Sequence, residues 1–168
     1  MDELHRSSPE DLAGRERNPV WIVLDQVRSM HNVGSVFRTS DAFHISGIVL
    51  CGLTPRPPHR DIHKTALGAT DTVPWHYEAS VELTLRQFKE DGYRLFAVEQ
   101  THNSTSLQEI PYSAPDKMVL IFGNEVNGVS EEALSLCEGS IEIPQWGSKQ
   151  SLNISVSVGI VLWELMRV

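Results

Sequence analysis

Four short, almost unbroken apolar runs constrain this chain more than anything else in it: VWIVLD (20–25), GIVLCG (47–52), YRLFAVE (93–99) and KMVLIFG (117–123). Strands apolar on both sides belong in a sheet covered on both faces, and such sheets are parallel as a rule. Parallel neighbours need crossovers, which the intervening sequence supplies. NVGSVFRTSDAF (32–43) and SVELTLRQFKEDG (80–92) carry apolar residues at helical spacing, the second closing on Gly92, and SEEALSLC (130–137) reads as a short helix capped by Ser130. TVPWHY (72–77) and SIEIP (140–144) add two shorter strands, while LTPRPPHRDIHK (53–64) and residues 100–116 read as loops. The alternation predicts the α/β class, with a mostly parallel sheet flanked by helices.

The run SLNISVSVGIVLWEL (151–165) is harder to place. Ser151, Asn153, Ser155 and Ser157 alternate with Leu152, Ile154, Val156 and Val158, which is strand periodicity, whereas Gly159 to Leu165 is apolar apart from Glu164. A strand directly before it, ending at Pro144, calls for a crossover, so the run is predicted as a helix. Ser151, Ser155 and Gly159 would then form a small-residue stripe against which another backbone packs closely.

At 168 residues the chain suits one domain, here expected over 19–168, behind a polar and flexible head at 1–18. Its longest apolar stretch falls short of the ~20 residues a membrane span needs. The N-terminus lacks the apolar centre of a secretion signal and only Cys51 and Cys137 occur, so a cytoplasmic protein with reduced thiols is expected. A net charge of −8 argues against a polyanionic partner, but the charge is uneven. Residues 1–19 carry three basic and five acidic groups (−2), residues 20–70 five and three (+2), and residues 71–168 six and fourteen (−8).

Three stretches concentrate glycine with polar residues: HNVGSVFRTSDAF (31–43), IFGNEVNGVS (121–130) and IPQWGSKQSLNISV (143–156). GNEVNG lacks the lysine and hydroxyl pair of a phosphate loop. HRDIH (59–63) has zinc-helix histidine spacing, but it follows PRPP, which disfavours a helix there, and a basic loop is the better reading. No metal is expected. Gly123, Gly128 and Gly147 sit at strand ends, where glycine permits tight turns or close approach to a ligand. On the helix at 32–43, Val33, Val36, Phe37, Ser40 and Phe43 share one face and Arg38 lies nearly opposite.

The segments N-x-G-x-x-x-R-T from Asn32, F-G-N-E-x-x-G from Phe122 and I-P-x-x-G-x-x-x-S-L-N-x-S-V from Ile143, in this order and spacing, resemble the SpoU (TrmH-type) family of RNA 2'-O-ribose methyltransferases, within the SPOUT superfamily. The resemblance covers residues 20–168. It implies a SPOUT fold with a C-terminal deep trefoil knot, S-adenosylmethionine as cofactor, transfer RNA or ribosomal RNA as substrate, and a homodimer with its active site near the subunit interface. It places the catalytic group at Asn32, Arg38, Glu125, Ser151 and Asn153. The cofactor would be held by Glu99, Gln100 and Thr101, by Gly123, Asn124 and Gly128, and by Ile143, Pro144, Ser151 and Leu152.

Methyl transfer to a ribose hydroxyl is an in-line displacement by a weak nucleophile, and alignment alone contributes on the order of 7 to 11 kcal/mol in well-oriented systems. A guanidinium stays protonated in ordinary settings, so a phosphate grip suits Arg38 better than base action, while Ser151 and Asn153 would orient the hydroxyl or the arginine. RNA recognition is expected from the head, the Pro-rich loop and a partner subunit. The alternatives are a catalytically inactive RNA-binding protein of the same fold and a small-molecule-binding α/β protein.

Overall fold

The computed structural model describes residues 14–110, 117–149 and 151–167. Seven strands form one sheet: β1 (Asn18–Asp25), β2 (Ile45–Cys51), β3 (Trp75–Glu78), β4 (Arg94–Val98), β5 (Thr105–Ser106), β6 (Met118–Phe122) and β7 (Gly139–Glu142). Their order is β3-β2-β1-β6-β4-β7-β5, and each strand pairing is parallel. The helices are α1 (Met30–Ala42), α2 (Arg60–Ala66), α3 (Ala69–Thr72), α4 (Val81–Glu90), α5 (Glu131–Leu136) and α6 (Ile154–Leu165). Strand side chains alternate faces. Ile22, Leu24, Ile48, Leu50 and Leu120 bury against α1, α2 and α6, while Val23, Val49, Leu95, Val119 and Ile121 bury against α4 and α5. The four apolar runs are thus covered on both sides, as their composition requires.

Two loop expectations are corrected. The Pro-rich stretch turns helical at Arg60, because proline restricts the residue before it and not those two places beyond, and because His59 caps α2 by accepting the Asp61 N–H on Nδ1 at 3.1 Å. The polar loop after residue 99 contains β5, which pairs with β7 at the sheet edge, and a single 3-10 turn at Leu107–Glu109. Its residues 111–116 lie outside the described residues.

The terminal run is a helix, but a shorter one than predicted. It starts at Ile154 because Asn153 turns its side-chain oxygen back to accept the Ser155 N–H at 2.9 Å, leaving Ser151 outside it. The small-residue stripe does not make the close approach expected of it: a Cβ added at Gly159 would meet only Thr39 Cγ2, at 4.0 Å. The close helix approach is at Gly34 on α1, where a Cβ would collide with the Ile62 carbonyl and the Thr65 hydroxyl of α2. The helix α6 instead buries Ile154, Val158, Val161 and Leu162 and leaves Val156, Ile160 and Trp163 exposed on its other face.

Residues 1–13 of the polar head lie outside the described residues. The segment after them is tied to the fold, since Arg17 donates to the carbonyls of Ile45 (3.1 Å) and Thr72 (2.8 Å). Among the described residues no helix is long and apolar enough to cross a membrane.

Candidate active site

Helix α1 begins where it does because the Ser29 hydroxyl accepts the Asn32 N–H at 3.2 Å. That cap leaves the Arg28 and Ser29 backbone N–H groups facing the Glu125 carboxylate, which accepts them at 3.3 and 3.4 Å. Asn32 Nδ2 donates to Glu125 Oε1 at 3.3 Å, and Asn32 Oδ1 accepts from Asn153 Nδ2 at 3.2 Å. Asn153 Oδ1 in turn accepts from the Ser155 hydroxyl at 2.6 Å as well as from its N–H. One hydrogen-bonded chain, Glu125–Asn32–Asn153–Ser155, therefore joins the three glycine-containing segments, although its first two members are 93 residues apart. With each amide donating on one side and accepting on the other, both carboxamide orientations are fixed.

Burial by itself would raise the Glu125 carboxyl. The hydrogen bonds it accepts, from its own N–H, from Arg28, from the Asn32 side chain and from Ser29, outweigh that and hold it below the usual carboxylate range. The sign follows: the carboxylate form, and the stability it lends, is complete above the ordinary glutamate value of about 4.3 and is lost only as pH falls through the lower folded value. Activity is therefore expected to show no Glu125-dependent fall near neutral pH, and Glu125→Gln, which sets an amide donor among these four donors, to lose about tenfold. A wild-type acid limb near neutrality that disappears in Glu125→Gln would contradict this.

Beside the chain lies a cleft of about 830 Å³ at the carboxyl ends of β4, β6 and β7, where parallel sheets hold ligands. Of the residues expected to hold a cofactor, Glu99, Gln100, Thr101, Gly123, Asn124, Gly128, Ile143, Ser151 and Leu152 line it, and so do Glu125 and Asn153. Pro144 lines an adjoining groove of about 1310 Å³ instead, between the loop after β7 and the exposed face of α6. Ser151 and Leu152 face both. Arg38 is exposed on α1 and lines neither, and among the described residues no hydrogen bond or ion pair holds it.

The cleft wall is built from main chain. A Cβ at Gly123 would strike the backbone of Gly128 and Val129, and Gly128 itself has φ +71°. Asn124 and Gly128 exchange two backbone hydrogen bonds of 2.9 Å, Asn124 Nδ2 donates to the Gln26 carbonyl at 2.7 Å, and Glu99 Oε2 accepts the Val129 N–H at 3.1 Å. Glu99 and Asn124 thus shape the wall as well as face the cleft.

A family model described as the SpoU rRNA Methylase family matches residues 19–163. The chain belongs to that family. Over 165 residues it is 30% identical to the tRNA (guanosine(18)-2'-O)-methyltransferase of Thermus thermophilus, a match covering 98% of this chain and 83% of that one. Its fold is similar to that of the A. aeolicus TrmH/SpoU tRNA modifying enzyme, with a TM-score of 0.80 and 28% identity over 90% of this chain and 76% of that chain. It is also similar to the AdoMet-bound rRNA methyltransferase from Sinorhizobium meliloti, with a TM-score of 0.82 and 31% identity over 90% of this chain and 57% of that one.

Within this SpoU-family site, sequence reasoning missed the supports. Arg28 and Ser29 act through backbone N–H groups, which no motif letter reveals, although a serine three residues before Asn32 is a capping signal. Asp25 is 1% exposed and its Oδ2 accepts the Ser130 N–H at 2.9 Å, tying β1 to the start of α5; the signal was a charge closing the apolar run VWIVLD. Both cysteines are free, and burial pushes the Cys51 thiol up to about 12 and the Cys137 thiol to about 11, so neither supplies a thiolate nucleophile at neutral pH.

Proposed function

We infer that this chain is an S-adenosylmethionine-dependent RNA methyltransferase acting on a ribose 2'-hydroxyl of transfer or ribosomal RNA. The observation that carries the reading is the Glu125–Asn32–Asn153 chain set at the rim of the strand-end cleft in a SpoU-family protein. The cleft fits the cofactor: its volume lies within the ~300–1,000 Å³ of ligand sites, Gly123 and Gly128 bare the main chain, and Glu99, Glu131 and Glu142 suit a cationic ligand. When bound, S-adenosylmethionine supplies the methyl group on a sulfonium.

The chain's own residues do the positioning. Asn32 and Asn153, locked through Glu125 and Ser155, present fixed amide groups that orient the ribose, and Ser151 stands between cleft and groove to meet it. Arg38 grips the phosphate beside the target nucleotide, a task suited to a planar, permanently charged fork.

Arg38 is six residues past Asn32, so it stands about 9 Å further along α1 and about 120° round it, away from its own cleft. We propose a homodimer, working in the cytoplasm, in which Arg38 completes the site of the partner protomer, and a C-terminal trefoil knot that seats α6 beside α1. Supporting the dimer, α6 exposes Val156, Ile160 and Trp163 at helical spacing next to the apolar groove, with Trp163 67% and Trp146 85% exposed, more than a solitary protomer normally leaves in water. Gly159 borders that groove with room for a side chain, so Gly159→Leu is expected to leave the protomer folded while shifting it to monomer and lowering activity at least tenfold. Light scattering over a concentration series checks this, and a fully active Gly159→Leu dimer would contradict it.

The reading itself is tested by incubating the purified chain with isotopically labelled S-adenosylmethionine and bulk RNA, then analysing nucleosides by mass spectrometry. A labelled 2'-O-methyl nucleoside is expected. A chain that binds RNA but neither the cofactor nor its demethylated product would be an RNA-binding protein without the activity.

A further inference from the structure

Helix α2 lies along the side of α1 that carries Arg38. It meets α1 at Gly34, and Arg38 is one turn further on and only about 40° round from it. Thr65 on α2 donates to the His31 carbonyl at 3.0 Å, and Thr72 on α3 donates to Asp41 Oδ1 at 2.5 Å, so α1 is fixed to this layer at both ends. The helix α2 buries Ile62 and Ala66 and leaves Arg60, His63 and Lys64 outside. The loop ahead of it is clamped to the end of β1: the Leu53 N–H donates to Gln26 Oε1 at 2.9 Å, and the Thr54 hydroxyl donates to the Leu24 carbonyl at 3.0 Å while accepting the Val27 N–H at 3.1 Å. On that loop the Arg56 guanidinium sits 4.2 Å over the Tyr77 ring, which fixes its plane and leaves its edge donors free for a bidentate acceptor.

The charges on this surface lean positive, five exposed cations standing against the exposed carboxylates of Asp71 on α3 and Glu78 beside Tyr77. Arg28, Arg38, Arg56, Arg60 and Lys64 are all exposed. The three carboxylates of residues 20–70 are engaged: Asp25 is buried on the Ser130 N–H, Asp41 accepts from Thr72, and Asp61 lies 3.7 Å from Arg60. The cleft, by contrast, is lined by Glu99, Glu125, Glu131 and Glu142, which repel phosphate. We infer that the clamped loop and α2, through Arg56, Arg60 and Lys64, form the track that holds the sugar-phosphate backbone of the RNA on its way to Arg38. The inference rests on the methyltransferase reading and adds to it the surface by which a net acidic protein holds a polyanion.

The test is the triple variant Arg56→Ala/Arg60→Ala/Lys64→Ala, with Arg86→Ala as control, since Arg86 lies on α4 across the sheet. Binding of fluorescently labelled bulk transfer RNA is followed over a salt series, with calorimetry of the demethylated cofactor alongside. The triple variant is expected to bind RNA at least tenfold more weakly at low salt, with a salt slope shallower by about 2, to raise KM for RNA far more than it lowers kcat, and to hold the cofactor product as the wild type does. Arg86→Ala should change none of these. A triple variant with wild-type RNA affinity and salt slope would overturn the inference while leaving the activity standing. A wild-type chain that holds neither RNA nor cofactor would overturn both.

Discussion

Replacing Arg38 with alanine is expected to abolish methyl transfer, by two to three orders of magnitude or more in kcat/KM, while the thermal midpoint stays within about 2 °C of wild type. The two halves of this expectation have separate causes. Arg38 is exposed, packs in neither core cluster and lines neither cavity, and substitutions at such positions move stability by about 0.5 kcal/mol at most. Its whole effect should therefore fall on the reaction, where losing the grip that aligns the target ribose costs about 10²-fold or more, as a misplacement of about 1 Å does. Arg38→Lys separates the roles further: it keeps the charge but not the planar fork, so a phosphate grip predicts partial recovery in KM with kcat still low. Kinetics at saturating RNA with a parallel melting curve decide it. A variant that melts far below wild type would make Arg38 structural, and one of full activity would remove it from the site.

The sheet was legible because burial on both faces leaves a direct trace: each of the four apolar runs became a strand. Strand order left none, since nothing local in KMVLIFG says that it lies between β1 and β4. Helix α2 was hidden by Pro57 and Pro58, read as a general breaker although the restriction acts only on the preceding residue, and β5 by a sequence too polar to announce a strand. The small-residue stripe misled for a different reason. Small residues permit close packing without requiring it, and only the partner helix decides, as Gly34 and Gly159 show by opposite environments. For the candidate site, family resemblance named Asn32, Glu125 and Asn153, and the fold joins them by hydrogen bonds that span 93 and 121 residues and could not come from periodicity. Arg38 is legible as an outward residue and no further, since it lines neither the cleft nor the groove.

The second large effect is expected at Gly123. A methyl group there would run into the main chain of Gly128 and Val129, and no flexible side chain stands in the way to yield. The loop cannot slide aside cheaply either, because it is held by the paired Asn124–Gly128 backbone bonds, the Asn124 side chain on Gln26 and the Glu99 carboxylate on Val129. Gly123→Ala should therefore cost at least about 1–3 kcal/mol, as overpacking does in a fixed frame, and lower the midpoint by about 2–4 °C for each of those kcal/mol. Because Glu125 is two residues on and the same loop lines the cleft, the displacement should also weaken binding of the demethylated cofactor at least tenfold and disturb the hold on Asn32. Gly147→Ala is the matched comparison: it changes a motif glycine with nothing within 4 Å of the added carbon, and should be silent in both calorimetry and melting. If the two variants behave alike, the loop after β6 does not pack against itself in solution as closely as the backbone contacts require, and the cleft wall is shaped by something other than Gly123.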